Sequence, residues 1–298
     1  MIDQARRFAG FLFILVLLLA ARAGNVCAEK IIYYEPGDVF PIQGEAEQLE
    51  VHFINVGAAD CFLIRSGEHT MLVDSGIRSH SGAIIHYLES LDIRELSYMF
   101  ATHPHDDHIG GFTGILTQVP VCEFIWPELF DLCNNKEYVR LNRRIDEKGI
   151  PTRTVSNGDA IHMGGALLEF IQWQDAVNLV YNYRSMALQV SFGERTLLLT
   201  ADIAGDTQKA HIEEYGHKLQ ADILKIPHHS ITMATPALLN TVQASLGIIT
   251  NQRISVKHLL NYYDRHALPC IFTTEGTIVS ATDGVQWHVL QLPKHPPF

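Results

Sequence analysis

Regular alternation of apolar and polar positions begins near Glu50. Residues 51–55, 61–66 and 70–74 are apolar-rich runs of strand length separated by Gly57 and Gly67, the spacing of an antiparallel meander. Ile84, Tyr87, Leu88 and Leu91 then fall at helical intervals and predict a helix over 82–91 whose apolar stripe packs on that sheet. Strand-length runs follow at 96–101 and 122–126. A charged, surface helix is expected over 137–148, stopped by Gly149-Ile150-Pro151. The second half repeats the alternation, with strands at 166–171, 187–192, 196–200, 221–226, 246–250, 270–273, 277–281 and 285–290 and helices at 235–241 and 256–265. Gly193-Glu194 supplies a tight turn between two of these strands. Residues 29–49, with Pro36, Gly37, Pro41 and Gly44, read as an irregular lead-in. Two successions of strands then helices, with no break in composition, predict one α/β (α+β) domain over 50–298: two packed sheets flanked by helices.

The N-terminus carries a different pattern. Residues 8–21 are almost wholly apolar, follow Arg6-Arg7 and precede Val26-Cys27-Ala28, which predicts a secretory signal peptide over 1–28 cleaved after Ala28. The run is shorter than the roughly 20 residues a spanning helix needs, so cleavage is favoured over an anchor and no stable membrane span is expected afterwards. The mature chain is then periplasmic or extracellular. The full chain of 298 residues, 47% hydrophobic and 18% charged, can bury a sizeable core and falls outside the disordered class. The formal charge is −11, and losing Asp3, Arg6, Arg7 and Arg22 makes it more negative still. Such a surface disfavours long nucleic acid as a partner and points to a small-molecule or cell-envelope substrate. Export permits disulfides, and Cys122 with Cys133 would close a short loop, though spacing leaves the pairing open. Cys61 and Cys270 sit in apolar runs and are expected as buried thiols.

The densest chemistry is His103-Pro104-His105-Asp106-Asp107-His108, at the end of the 96–101 run. Three histidines and two aspartates in six residues at a strand end outweigh the alternative of an ordinary polar loop. His103 and His105, two apart, project to one side and can share a metal; Asp107 and His108 can turn to a second. Ile109-Gly110-Gly111 gives the backbone room to turn beside the site. His-x-His-x-Asp-His after a strand resembles the signature of the metallo-β-lactamase superfamily. Residues 51–57, 61–64 and 71–76 narrow the likeness to the hydrolase domain of competence-type DNA-internalisation proteins and to bacterial phosphorylcholine esterases. The resemblance implies a four-layered αββα sandwich and two divalent metal ions, zinc first, with Mn2+ or Fe2+ as alternatives.

The same resemblance assigns the remaining residues. Asp202, after the apolar run Leu197-Leu198-Leu199, is expected to bridge both metals rather than cap the next helix, with Ala201 where the family often has glycine. Pro227-His228-His229-Ser230 resembles the family's His-His-Gly-Ser element, with Ser230 in the glycine's place. Spacing does not decide which histidine ligates; the likeness to choline-phosphate esterases favours His229 as ligand and His228 as a catalytic group facing the leaving group. The metal set is then His103, His105, Asp107, His108, Asp202 and His229, with Asp107 and His228 as catalytic residues. No histidine stands where the family supplies a further ligand to the first metal. Asn182, in Asn182-Tyr183-Arg184-Ser185, could offer an amide oxygen or hold a water, so the first-metal site is expected to be weak. Asp74 is expected behind a ligand, orienting it, and Trp126, Tyr181 and Tyr183 are candidates for pocket walls or core. The implied chemistry is attack by a metal-bound hydroxide on a phosphodiester or phosphoryl ester. Lactone or β-lactam opening at the same centre is the alternative, and a low-activity metal-binding or partner-binding protein is the non-enzymatic one.

Overall fold

The computed structural model describes residues 30–38, 40, 48–130, 135–173, 181–251 and 255–294. The expected signal peptide and Cys133, with its pairing to Cys122, lie outside them. Seven strands open the chain's path: β1 (Ile31–Tyr34), β2 (Leu49–Phe53), β3 (Phe62–Ser66), β4 (His69–Val73), β5 (Leu96–Phe100), β6 (Val121–Pro127) and β7 (Thr152–Val155). Seven more follow: β8 (Ala160–Met163), β9 (Ala166–Ile171), β10 (Ala187–Phe192), β11 (Arg195–Leu199), β12 (Ile223–Lys225), β13 (Leu246–Ile249) and β14 (Cys270–Phe272). The chain then returns with β15 (Ile278–Thr282) and β16 (Trp287–Gln291). Among the described residues the first sheet runs β1-β16-β15-β2-β3-β4-β5-β6-β7 and the second β14-β13-β12-β11-β10-β9-β8.

Period-two alternation decides how these sheets stack. On β3, Phe62 and Ile64 face inward while Leu63 faces outward; the inward set meets Leu168, Phe170, Leu188, Val190, Leu197 and Leu199 of the second sheet in one buried cluster. Phe100 and Phe170 cross this interface edge-to-face, ring centroids 5.0 Å apart. Outside the first sheet lie α1 (Ser81–Ser90), the short α2 (Asp106–Ile109) and α3 (Phe112–Ile115), and α4 (Lys136–Lys148). Ile84, Leu88, Phe112, Ile115, Leu141 and Ile145 cover Leu63, Leu72, Met99 and Phe124 there. After α5 (Asp206–Tyr215), the helices α6 (Pro236–Val242) and α7 (Val256–Asp264) cover the second sheet's outer face, placing Leu238, Leu239, Leu259 and Tyr263 against Leu198, Leu224 and Ile249. The architecture is the expected αββα sandwich.

Three expectations are corrected. The lead-in is not irregular throughout, because Ile31–Tyr34 pairs in parallel with β16 at the edge of the first sheet. The room expected from Gly110 and Gly111 is room for close packing rather than for a sharp turn: both have helical φ, and a Cβ on Gly111 would stand 2.1 Å from the Ser75 carbonyl oxygen. Trp126 packs with Phe124, Phe130 and Tyr138 as core and is not free to wall a pocket. Cys61 and Cys270 are buried as expected, and burial raises both thiols well above their ordinary pKa. Among the described residues no helix is long and apolar enough to cross a membrane.

Parallel pairing sets the functional edge. β4, β5 and β6 run parallel in one sheet, and β11, β12, β13 and β14 in the other, so their carboxyl ends gather where ligands of such sheets bind. Loss of the Phe170 ring should open a void between the sheets. Phe170→Ala should cost about 3–5 kcal/mol of unfolding free energy, measured by denaturant titration; a loss under about 1 kcal/mol would contradict a shared inter-sheet core.

Candidate metal centre

β4 ends at Asp74, β5 runs out into Thr102 and His103, and β11 ends before Asp202. β12 leads into the turn Pro227–Ser230 and β13 into Thr250. Five strand ends therefore deliver polar groups to one place. The backbone there is strained: Asp74, Ala201, His228, His229 and Ser230 all have positive φ, between 48° and 60°, a region that costs non-glycine residues about 1–3 kcal/mol each. Ala201 and Ser230 are the positions where glycine was expected from resemblance, and the left-handed φ explains that glycine. Ser230 is held there by a 2.6 Å hydrogen bond between its hydroxyl and that of buried Tyr263, and the His228 N–H donates to the Ala201 carbonyl at 3.1 Å.

Asp202, 1% exposed, is the hub. Its Oδ2 lies 3.3 Å from His108 Nε2 and 3.7 Å from His103 Nε2; its Oδ1 lies 3.4 Å from His229 Nε2. Candidate ligand atoms of His103, His105 and Asp202 lie within 4.8 Å of one another, and so do those of Asp60, His108, Asp202 and His229. Asp202 belongs to both groups, which is the arrangement a bridging carboxylate requires. His103 Nε2 and His105 Nδ1 are 3.1 Å apart, and Tyr181 stands edge-on to His105. Asp107 is partly exposed, with Oδ2 3.8 Å from His229 Nε2, at the rim of this cluster. Asp106 faces away, taking a hydrogen bond from the Asn135 amide, which also binds the Pro104 carbonyl and pins the loop.

Buried supports set which nitrogen of each histidine is free. His108 Nδ1 meets Asp74 Oδ2 at 2.7 Å, and Asp74 also accepts from the Thr102 N–H and hydroxyl. That places Asp74 behind His108 in the orienting position expected for it. His108 Nε2, His229 Nε2 and Asp202 Oδ1 are left buried without hydrogen-bond partners. Orphaned polar atoms are costly, and three of them converging from three loops fit a divalent cation. The first group is thinner: Asn182 uses its amide nitrogen on His228 Nε2 at 3.0 Å, while its Oδ1 is buried and unpartnered. Tyr183 packs its hydroxyl toward Gly205 instead.

The electrostatics favour neutral rings at His103, His105 and His228 around a buried anion, with His108 the exception. Burial, then the neighbouring His108, pushes His103 well below its ordinary pKa; burial also lowers His105 and His228. Burial opposes charge on His108 too, but the Asp202 and Asp74 carboxylates outweigh it and hold its imidazolium well above the ordinary value. Burial would raise Asp202, yet His229, His108 and His103 keep it well below the carboxylate range. Asp60, Lys225 and Thr250 were not anticipated. Asp60 lies in the β2–β3 connection, between the runs 51–57 and 61–64, as a lone turn aspartate, and Lys225 is hidden in an apolar strand; the one signal was a lysine within the run Ile223-Leu224-Lys225-Ile226.

Comparison with known proteins follows the same lines. A model of the family described as "Metallo-beta-lactamase superfamily" matches residues 54–242. ComE operon protein 3 of Bacillus subtilis (strain 168) is 23% identical over 254 residues, covering 77% of this chain and 32% of the relative. Recombination protein 2 of Haemophilus influenzae is 26% identical over 211 residues, covering 68% and 24%. The chain thus spans about a third or less of those relatives. Among solved structures, the metallo-beta-lactamase fold protein YhfI from Bacillus subtilis superposes with a TM-score of 0.51 at 13% identity, covering 76% of this chain and 96% of that one.

A proton and a divalent ion compete for His108. Its raised pKa means that the stabilisation from its charged form is complete below the unfolded value near 6.5 and is lost as pH rises through the folded value. An ion at Nε2 must displace that proton. Metal uptake should release a proton and tighten by up to about tenfold per pH unit below the folded pKa. Calorimetric titration in buffers of different ionisation heat measures both; affinity independent of pH between about 6 and 8 would contradict it.

Proposed function

The chain belongs to the metallo-beta-lactamase superfamily, and on that premise we propose that it is a divalent-metal-dependent hydrolase of phosphodiester or phosphoryl-ester substrates. The observation that carries the proposal is the shared Asp202: its Oδ2 stands 3.7 Å from His103 Nε2 and 3.3 Å from His108 Nε2, its Oδ1 3.4 Å from His229 Nε2, and the His108 and His229 nitrogens are buried without partners. His103 and His105 with Asp202 would hold one ion, and His108, His229, Asp107 and Asp202 the other, with zinc the first expectation. Bound there, the ions supply Lewis acidity and an activated water. Recombination, for which one relative is named, acts on phosphodiester chains, and this supports phosphoryl chemistry over lactone or β-lactam opening.

The chain's own residues do the rest. Asp74 and Thr102 hold His108 in one tautomer, so its Nε2 stays aimed at the centre. His228 is tied by Thr232 at Nδ1 and Asn182 at Nε2, and part of its ring remains exposed beside Asp202. Nε2 accepts from the Asn182 amide here, so His228 serves the departing oxygen once substrate displaces that amide and Nε2 is free to carry a proton to it. His105, Asp107, Tyr181 and His228 form the open side where substrate enters, and the acidic surface favours small diesters over long polyanions.

Asp202→Ala and Asp107→Ala should abolish hydrolysis of a chromogenic phosphodiester while the proteins stay soluble. His228→Ala should keep its metal yet lose roughly 10²-fold or more in turnover, whereas His229→Ala should lose metal. Full activity in Asp107→Ala, or cleavage of long DNA faster than of the small diester at physiological salt, would sink the reading.

The domain arrangement proposed with it is a signal peptide over 1–28 ahead of the hydrolase, which places the enzyme in the periplasm or outside the cell. Intact mass of the native protein should correspond to a start at Glu29. Retention of Met1 in a cytoplasmic protein would refute export.

A further inference from the structure

Asp60 lies among the candidate ligand atoms of the second group, but its surroundings give it a different task. Both its oxygens are engaged. Lys225 Nζ sits in direct contact with Asp60 Oδ2, and both side chains are completely buried. Asp60 Oδ1 accepts from the Thr250 hydroxyl at 2.8 Å and lies 3.3 Å from His229 Nδ1. Its main chain is fastened on both sides, its N–H to the Asp107 carbonyl at 3.2 Å and its carbonyl to the Gly76 N–H at 2.8 Å. Asp60 Oδ2 has no hydrogen-bond partner, but it is ion-paired with Lys225, and turning it toward an ion would break that buried pair.

The hydrogen-bond count then fixes a tautomer. A hydroxyl has one proton, and Thr250 gives its proton to Asp60. Thr250 Oγ1 can only accept at its 2.9 Å contact with His229 Nδ1. His229 therefore carries a proton on Nδ1, and in the neutral ring Nε2 is the lone pair, facing Asp202 and Asp107. Lys225 completes the arrangement: its ammonium also donates to the Ala201 carbonyl at 2.9 Å and stands 3.8 Å from Asp202 Oδ1. One buried cation thus braces the strained residue before Asp202 as well as Asp60.

Resting on the metal-centre reading above, we propose that Lys225, Asp60 and Thr250 form a relay that positions His229 as an Nε2 ligand, with Asp60 orienting a ligand rather than being one. Burial alone would raise the Asp60 carboxyl, but the Lys225 ammonium and His229 outweigh it and keep Asp60 ionised. The relay spans the sandwich: Asp60 comes from the first sheet's β2–β3 connection, while Lys225 and Thr250 come from the second sheet. A buried pair of this kind adds little net stability, yet removing one partner leaves an uncompensated charge. Loss of the relay should therefore be felt as a loosened ligand and not as a missing one.

The test uses the full mature chain, first without metal. Two-bond 1H–15N correlation spectra of the histidines should show His229 protonated at Nδ1; protonation at Nε2 overturns the proposal. Zinc titration with a competing chelator then compares variants. Asp60→Asn and Thr250→Val should bind as many ions at saturation as wild type, with the second site weakened by roughly 10- to 100-fold. Loss of an ion at saturation in Asp60→Asn would mean that Asp60 is a ligand, and unchanged affinity in both variants would mean that no relay exists; either overturns the proposal. Thr250→Val changes no charge and keeps the test open should Asp60→Asn fail to fold. Lys225→Met should weaken zinc more than the double variant Asp60→Asn, Lys225→Met does, because the double variant leaves no unpaired buried charge; additive losses would overturn the pairing. Wild-type protein that takes up neither zinc, manganese nor iron would defeat the hydrolase reading, while the tautomer of His229 in metal-free protein still decides the relay.

Discussion

A carboxylate that is buried and ionised must be answered from every side, and Asp202 imposes that requirement on everything around it. Its oxygens point in different directions, so the answering groups come from different elements: His103 and His108 from the loop after β5, His229 and Lys225 from around β12. Desolvation would drive the carboxyl toward its neutral form, and the surrounding histidines, His229 and His108 foremost, outweigh it and hold it charged. Charge on Asp202 and partners for His108 and His229 are thus one problem, and cations at the two shared groups would solve it together.

That requirement explains a costly backbone. Left-handed conformations at Ala201, His228, His229 and Ser230 turn each chain abruptly at its strand end, so that side chains point inward across the sheet edge instead of up into solvent. Packing compensates for them. Tyr263, fully buried on the inner face of α7, holds Ser230 by its hydroxyl, and Lys225 holds the Ala201 carbonyl. The apolar layers behind the strand ends are rigid enough to enforce conformations that none of these residues prefers.

The sequence was legible where chemistry and chain order coincide. His103, His105, Asp107 and His108 sit in one loop, and strand-length apolar runs located nearly every central strand because buried strands must be apolar. Edges and polar packings were illegible for the matching reason. β1 and β7 pair on one side only, β8 is too short to show a period, and α5 buries Thr207, Gln208 and His211 where an apolar stripe would have been visible. Asp60 was illegible because a single aspartate in a Gly-Ala-Ala-Asp turn is an ordinary turn residue until folding brings Lys225 and Thr250 to it. Which histidine of the His228-His229 pair is buried could be seen only once the left-handed turn was drawn: His229 goes inward and His228 is left at the opening.

The split origin of the cluster has a consequence for a chain that is still being made. His103, His105 and His108 emerge early, but the carboxylate they need lies some hundred residues later, and His229 later still. A growing or half-folded polypeptide holds neither set of groups at the required separation. Whatever the finished centre can bind or cleave is withheld until the two sheets have closed on each other, so the fold acts as its own safety catch.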